Sequence, residues 1–210
     1  MKPFIDRENY CRHGDAHMWR KRSEAANPDL ASGSKYGDQL PLARALPLWG
    51  GVSEGGFAVV AIHENKKMTA DEFVEVVRKG KLTDAIRKLN PIKPDGPWFA
   101  LCDNESFLRK AKATKEAVAE QGVSLWHIPP RSPDLNPVEK FWAWLRRERR
   151  RLDLQDLSKK KRPLSKSAYA VRVRSLCGSQ KAQRVASNFA KGLKRVCNEV
   201  IAKKGAASSG

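Results

Sequence analysis

Cysteine is sparse and unpatterned in this chain. Cys11, Cys102, Cys177 and Cys197 form no C-x-x-C pair and no regular spacing. That excludes a disulfide-stapled scaffold and argues for a reducing compartment. Long apolar runs are missing as well. None approaches bilayer-spanning length and no signal-peptide pattern opens the sequence, so a soluble intracellular protein with no membrane partner is expected. No internal repeat is present, which excludes a repeat array. Acidic residues become scarce towards the end: residues 146–210 hold 4 Asp/Glu against 19 Lys/Arg.

Forty per cent apolar residues and six Trp are enough for a real core, so the chain is not globally disordered. Its 210 residues suit one domain of ordinary size with an appendage. The net charge of +18 is uneven. Residues 1–100 carry 16 Lys/Arg against 13 Asp/Glu, and residues 101–145 carry 6 against 6. A near-neutral body followed by a cationic tail is the footprint of a nucleic-acid binder. Neutralised phosphates release condensed counterions, so affinity should fall steeply with salt. A merely solvated basic surface is the plainer reading, and the concentration of charge argues against it. Lys159-Lys160-Lys161-Arg162-Pro163 also reads as a nuclear import signal, so a nuclear location is expected.

The apolar pattern predicts an α/β chain. Phe4-Ile5 ends in Asp6 like the close of a strand, and residues 11–45 are polar and rich in Gly, Pro, Ser and Asn, a long loop or insertion. LPLWGGV (46–52) and FAVVAIH (57–63), separated by Ser53-Glu54-Gly55-Gly56, read as a hairpin. Thr69 and Glu72 fit a capping box ahead of a helical pattern through Leu89, with Gly80 as a break. WFALC (98–102) suits a buried strand, a helix is expected from Ser106 to Gln121, and VSLWHI (123–128) alternates as a strand. Pro137 fits the first turn of a helix carrying Val138, Phe141, Trp142 and Leu145. Strand–helix–strand at short spacing implies parallel pairing in the second half. Past residue 152, Val185, Phe189, Leu193, Val196 and Val200 form the apolar stripe of one further helix.

Carboxylates at the ends of separate elements are the chemical signal. Asp103 follows the strand WFALC directly, where α/β sheets place their ligands. Helix capping by Asp103 or Asn104 is the plainer role. Glu139 lies 36 positions later in RSPDLNPVEKFW, third in its helix if Asn136 is the N-cap, so a capping box competes for its oxygens. Asp6 is preferred over Asp15, Asp29 and Asp38 because it ends an apolar run while they lie in loop-like sequence. Three such carboxylates suit hard divalent cations. Asn104 could position an ion or phosphate, and Arg131 could reach phosphate or simply cover its loop. Arg146, Arg147, Arg149, Arg150 and Arg151 continue the Glu139 helix as a basic track beside the site, with Lys159, Lys160, Lys161 and Arg162 following as further DNA contacts. Trp142 and Trp144 read as packing residues, and His127 as a core or edge residue. Cys11, His13 and His17 are near one another, but Gly14 and polar surroundings argue against a zinc site.

Taken together, the element order and the string CDN…PPRSPDLNPVEKFWAWL resemble the mariner-type DDE transposases, over roughly residues 3–150. WGGVSEGGF looks like that family's hairpin, and WHIPPRSPDLNPVE like its strand–loop–helix carrying the last catalytic carboxylate. The resemblance implies an RNase H-like mixed sheet flanked by helices over residues 1–151, with a truncated first strand, followed by a basic, partly helical C-terminal extension over 152–210. It implies Asp6, Asp103 and Glu139 as the acidic triad holding two Mg²⁺ or Mn²⁺ ions, with no small-molecule cofactor. It also implies double-stranded DNA as partner (transposon ends and target), and a homodimer. Departures touch the rim: Arg7 stands where the family often has Glu, and Glu105-Ser106-Phe107 where it commonly has Pro and His. The family's N-terminal helix-turn-helix reader is expected to be missing here. The expected activity is metal-dependent DNA cleavage and strand transfer. The alternatives are an inactive DNA-binding derivative and a ribonuclease of the same fold.

Overall fold

A computed structural model describes residues 3–4, 46–62, 68–92, 95–130, 132–159, 161 and 164–205. The stretch expected as a loop, 11–45, therefore lies outside the described residues, as does the candidate zinc trio. The first sheet is antiparallel. β1 (Pro3–Phe4) pairs with β2 (Leu46–Ser53), which pairs with β3 (Gly56–Ile62) across the expected turn. That turn packs closely. A Cβ on Gly55 would lie 2.1 Å from the Leu89 carbonyl oxygen, so only glycine fits. Gly56 has φ +120°, a left-handed value that also favours glycine.

Helices α1 (Ala70–Arg78) and α2 (Lys81–Leu89) follow. The Thr69–Glu72 capping box forms with both of its reciprocal bonds. Gly80 breaks the pattern by taking the left-handed region at φ 73°. β4 (Trp98–Cys102) then pairs in parallel with β5 (Val123–His127), as the spacing predicts. Between them the expected single helix is two: α3 (Ser106–Arg109) and α4 (Lys112–Glu120). A 3₁₀ turn (Pro133–Leu135) leads into α5 (Pro137–Ser158), which runs on past residue 151. α6 (Lys166–Gly178) was not foreseen, and the one predicted C-terminal helix is interrupted at Gly192 into α7 (Gln180–Lys191) and α8 (Leu193–Ala202).

Two cores flank the first sheet. Along β3, Ala58 and Val60 join a cluster with Phe73, Val77, Leu108 and Val118, while Phe57 and Val59 face a second cluster with Phe141, Leu145, Val173 and Ala186. Successive residues of a strand point to opposite faces, so one strand serves both cores. Phe57 and Phe141 stack at 4.2 Å between centroids in the second of them. α6 and α7 supply much of that cluster, including Tyr169, Ala170, Cys177 and Ala182. The segment after 152 is thus part of the body and not only a tail. Among the described residues the strands form two sheets, β1–β2–β3 and β4–β5. β4 and β5 keep one bare face: Phe99 and Trp126 are each 60% exposed, their rings 5.1 Å apart.

Candidate metal centre

Asp103 is the first residue after β4, and its neighbours are held by bonds that prolong the β4–β5 ladder. Ile128 N–H donates to the Cys102 carbonyl at 3.0 Å. The Asn104 amide nitrogen donates to the Ile128 carbonyl at 2.7 Å. His127 Nδ1 lies 3.1 Å from the Asp103 carbonyl oxygen and 3.4 Å from Cys102 Sγ. His127 is therefore more than the core or edge residue its apolar context implied. One signal in the sequence was its place opposite Cys102, at the end of a strand of equal length. Burial, and then the Asp103 charge, push the Cys102 thiol up to about 11, so it remains protonated at neutral pH.

Glu139 enters from the other side, in the first turn of α5. Its backbone N–H donates to the Asn136 carbonyl at 3.0 Å, and Asn136 is buried. Phe141 and Leu145, two and six residues further on and one turn apart from each other, are fully buried and fix the rotation of the helix. Trp142 and Trp144 are buried too, so both serve packing.

Asp103 and Glu139 both line a cavity of about 370 Å³, together with Asn104, Glu105, Asp134's neighbour Pro133 and Asn136. Both also line a larger cavity of about 770 Å³ that extends between β2 and β4. Asp6 lies outside the described residues, as do Arg131, Lys160 and Arg162. Among the described residues no group of three or more His, Cys, Asp or Glu is arranged to hold a metal ion. The Asp103 and Glu139 carboxylates that line the smaller cavity are hard oxygen donors, of the kind that suits Mg²⁺ or Mn²⁺.

The basic track is partly as expected. Arg146, Arg147, Arg150, Arg151, Lys159 and Lys161 are exposed. Arg149 is a correction: it is 4% exposed and points into the protein. Its guanidinium donates to the Tyr169 hydroxyl at 2.6 Å and faces Asp153 at 3.8 Å. Helical periodicity is the reason, because Arg149 stands four residues beyond the buried Leu145. Two exposed cations are partly committed as well: Arg151 to Glu148 at 3.1 Å and Lys161 to Asp156 at 3.3 Å. The bond the structure gives Asn104 is a structural one, to Ile128.

Residues 42–160 match the family described as DDE superfamily endonuclease. No curated protein matches in sequence. Among solved structures, the Mos1 transposase paired-end complex with left transposon end is similar, with a TM-score of 0.61 at 13% identity, over 91% of this chain and 51% of that one. At that identity the likeness is one of fold, and this chain spans about half the length of its structural relative.

Proposed function

For a chain that belongs to the DDE superfamily of endonucleases, we propose metal-dependent cleavage of DNA and transfer of the cut strand, on an RNase H-like catalytic domain acting in the nucleus. The carrying observation is that Asp103 and Glu139, from the end of β4 and the start of α5, line one cavity, and that exposed arginines follow further along α5. Asp6 is the third acidic group in this reading. Asp6, Asp103 and Glu139 would hold two Mg²⁺ or Mn²⁺ ions. Such ions supply a nucleophile at neutral pH and charge stabilisation at the scissile phosphate.

The chain's own residues do the positioning. The bonds from His127 and Asn104 fix the backbone on either side of the Asp103 side chain. Packing of Phe141 and Leu145 fixes α5 and with it Glu139. Arg146, Arg147, Arg150 and Arg151 follow on the same helix and would track phosphates, fixing register without reading bases. The similar Mos1 structure is a paired-end complex with a transposon end, which supports double-stranded DNA as the partner here and a dimer as the working form.

The test is nicking of supercoiled plasmid with Mn²⁺. Asp103→Asn and Glu139→Gln should each lower nicking by at least about a hundredfold, since a metal site contributes several kcal/mol to such a barrier. Retention of labelled duplex should be unchanged. Binding that survives alongside no metal-dependent nicking in the unaltered chain would leave a DNA-binding protein without turnover. Preferential cleavage of an RNA–DNA hybrid would make it a ribonuclease.

A further inference from the structure

The charged groups in the wall of the larger cavity are acidic, apart from one side chain. Glu54, Asp103 and Glu139 line it, and among the described residues around it Lys191 is the single Lys, Arg or His. A space walled by three carboxylates repels a phosphate, and a cation in the same wall offsets that repulsion. Lys191 lies outside residues 42–160, the part that matches the family. Its place is set by packing. Ala182 and Ala186 of α7 are fully buried in the second core, and Ala190, one turn further along that face, lines the cavity. Gln183 ties the helix to the hairpin, accepting from the Phe57 N–H at 2.9 Å and donating to the Cys177 carbonyl at 2.7 Å. At the far end the Gly192 N–H donates to the Asn188 carbonyl at 3.1 Å. There α8 begins at once and packs against the 3₁₀ turn that precedes Glu139.

The Lys191 side chain is exposed, and among the described residues it has no ion pair. We propose that Lys191 is a substrate-binding residue of the reaction proposed above, on which this inference rests. Its ammonium takes a non-bridging phosphate oxygen of the DNA strand entering the cavity and holds that strand over the Asp103 and Glu139 carboxylates. An ammonium on a flexible stem holds phosphate as a point charge, with no fixed fork to satisfy, so an arginine can take its place. Arg146, Arg147, Arg150 and Arg151 do not line the cavity. They fix the duplex outside it, whereas Lys191 acts on the strand within. Lys191 also stands in the last turn of α7, where a cation complements the helix dipole. That second role acts on stability alone.

The test compares Lys191→Gln with Lys88→Gln, which removes an equal charge from an exposed position of α2 outside both cavities. Retention of a labelled duplex is followed across a salt series in Ca²⁺, and nicking of supercoiled plasmid in Mn²⁺. Lys191→Gln should lower the slope of log affinity against log salt by about 1 and nicking by at least about tenfold. Lys191→Arg should keep nicking within about threefold of the unaltered chain, and Lys88→Gln should change neither readout. Equal effects of the two Gln substitutions overturn the proposal, because a diffuse field would then account for both. So does a lower Tm for Lys191→Gln with slope and nicking unchanged, which leaves only the role at the helix end. If the unaltered chain binds duplex and does not nick plasmid, the catalytic reading fails, and the two salt slopes still decide whether Lys191 meets phosphate.

Discussion

Arg149 shows how one position decides between two roles. Four arginines around it are exposed, and it alone is buried among them, beside Asp153 and the Tyr169 hydroxyl. Asp153 is 4% exposed and also accepts from Arg172 at 3.0 Å. A buried ion pair contributes little net stability against apolar residues of the same volume, but removing one partner leaves the other charge uncompensated. Asp153→Ala should therefore destabilise the protein by about 3–5 kcal/mol. Urea unfolding should show this as a lower midpoint at unchanged slope. Surface ion pairs such as Lys112–Glu116, with side chains 89% and 56% exposed, should contribute under about 1 kcal/mol. The sequence shows a run of like charges here and cannot show which of them turns inward. That is set by the rotation of α5, which Phe141 and Leu145 impose.

The helices after residue 137 are joined by charge as well as by the apolar core. Arg172 on α6 reaches both Asp153 and Asp156 on α5, and Lys161 adds a contact to Asp156. The hydrogen bond from Arg172 holds the Asp156 carboxyl below its ordinary value of 3.8, against the opposing effect of burial, and Lys161 adds to the lowering. A carboxylate whose folded pKa is depressed stabilises the fold fully above its unfolded value, and that contribution is lost as pH falls through the folded one. Thermal unfolding followed from about pH 5 downward should thus show α5 and α6 loosening in acid. Asp156→Asn should be less stable at neutral pH and should have a flatter acid limb. Other elements were legible from local chemistry alone. The hairpin, the capping box at Thr69 and the parallel β4–β5 pair all lie where composition and spacing put them. Breaks inside helical patterns were less legible. Gly80 announces one, but Lys110-Ala111 between α3 and α4 carries no Pro or Gly.

Across the whole molecule the charge is arranged for a polyanion. Among the described residues, much of the excess in 146–210 sits on exposed positions of α5 to α8. Each phosphate contact adds about 0.9 to the slope of log affinity against log salt. Arg146→Ala and Arg147→Ala should each weaken duplex binding without regard to base sequence and lower that slope by about 1, measured by retention across a salt series. Arg149→Ala should instead lower stability and leave the slope unchanged, which separates the buried arginine from its neighbours.

What the linear chain determined by itself is local: which stretches are strand or helix, where they turn, that its charge is concentrated late, and which carboxylates end an element. Each follows from side-chain period, backbone freedom or composition within a few residues. Only tertiary packing decided the rest. It brought Asp103 and Glu139 to one cavity, turned Arg149 inward, and made α6 and α7 part of the second core. Those outcomes depend on which apolar faces bury one another, and that is a property of the folded whole that no short stretch of residues carries.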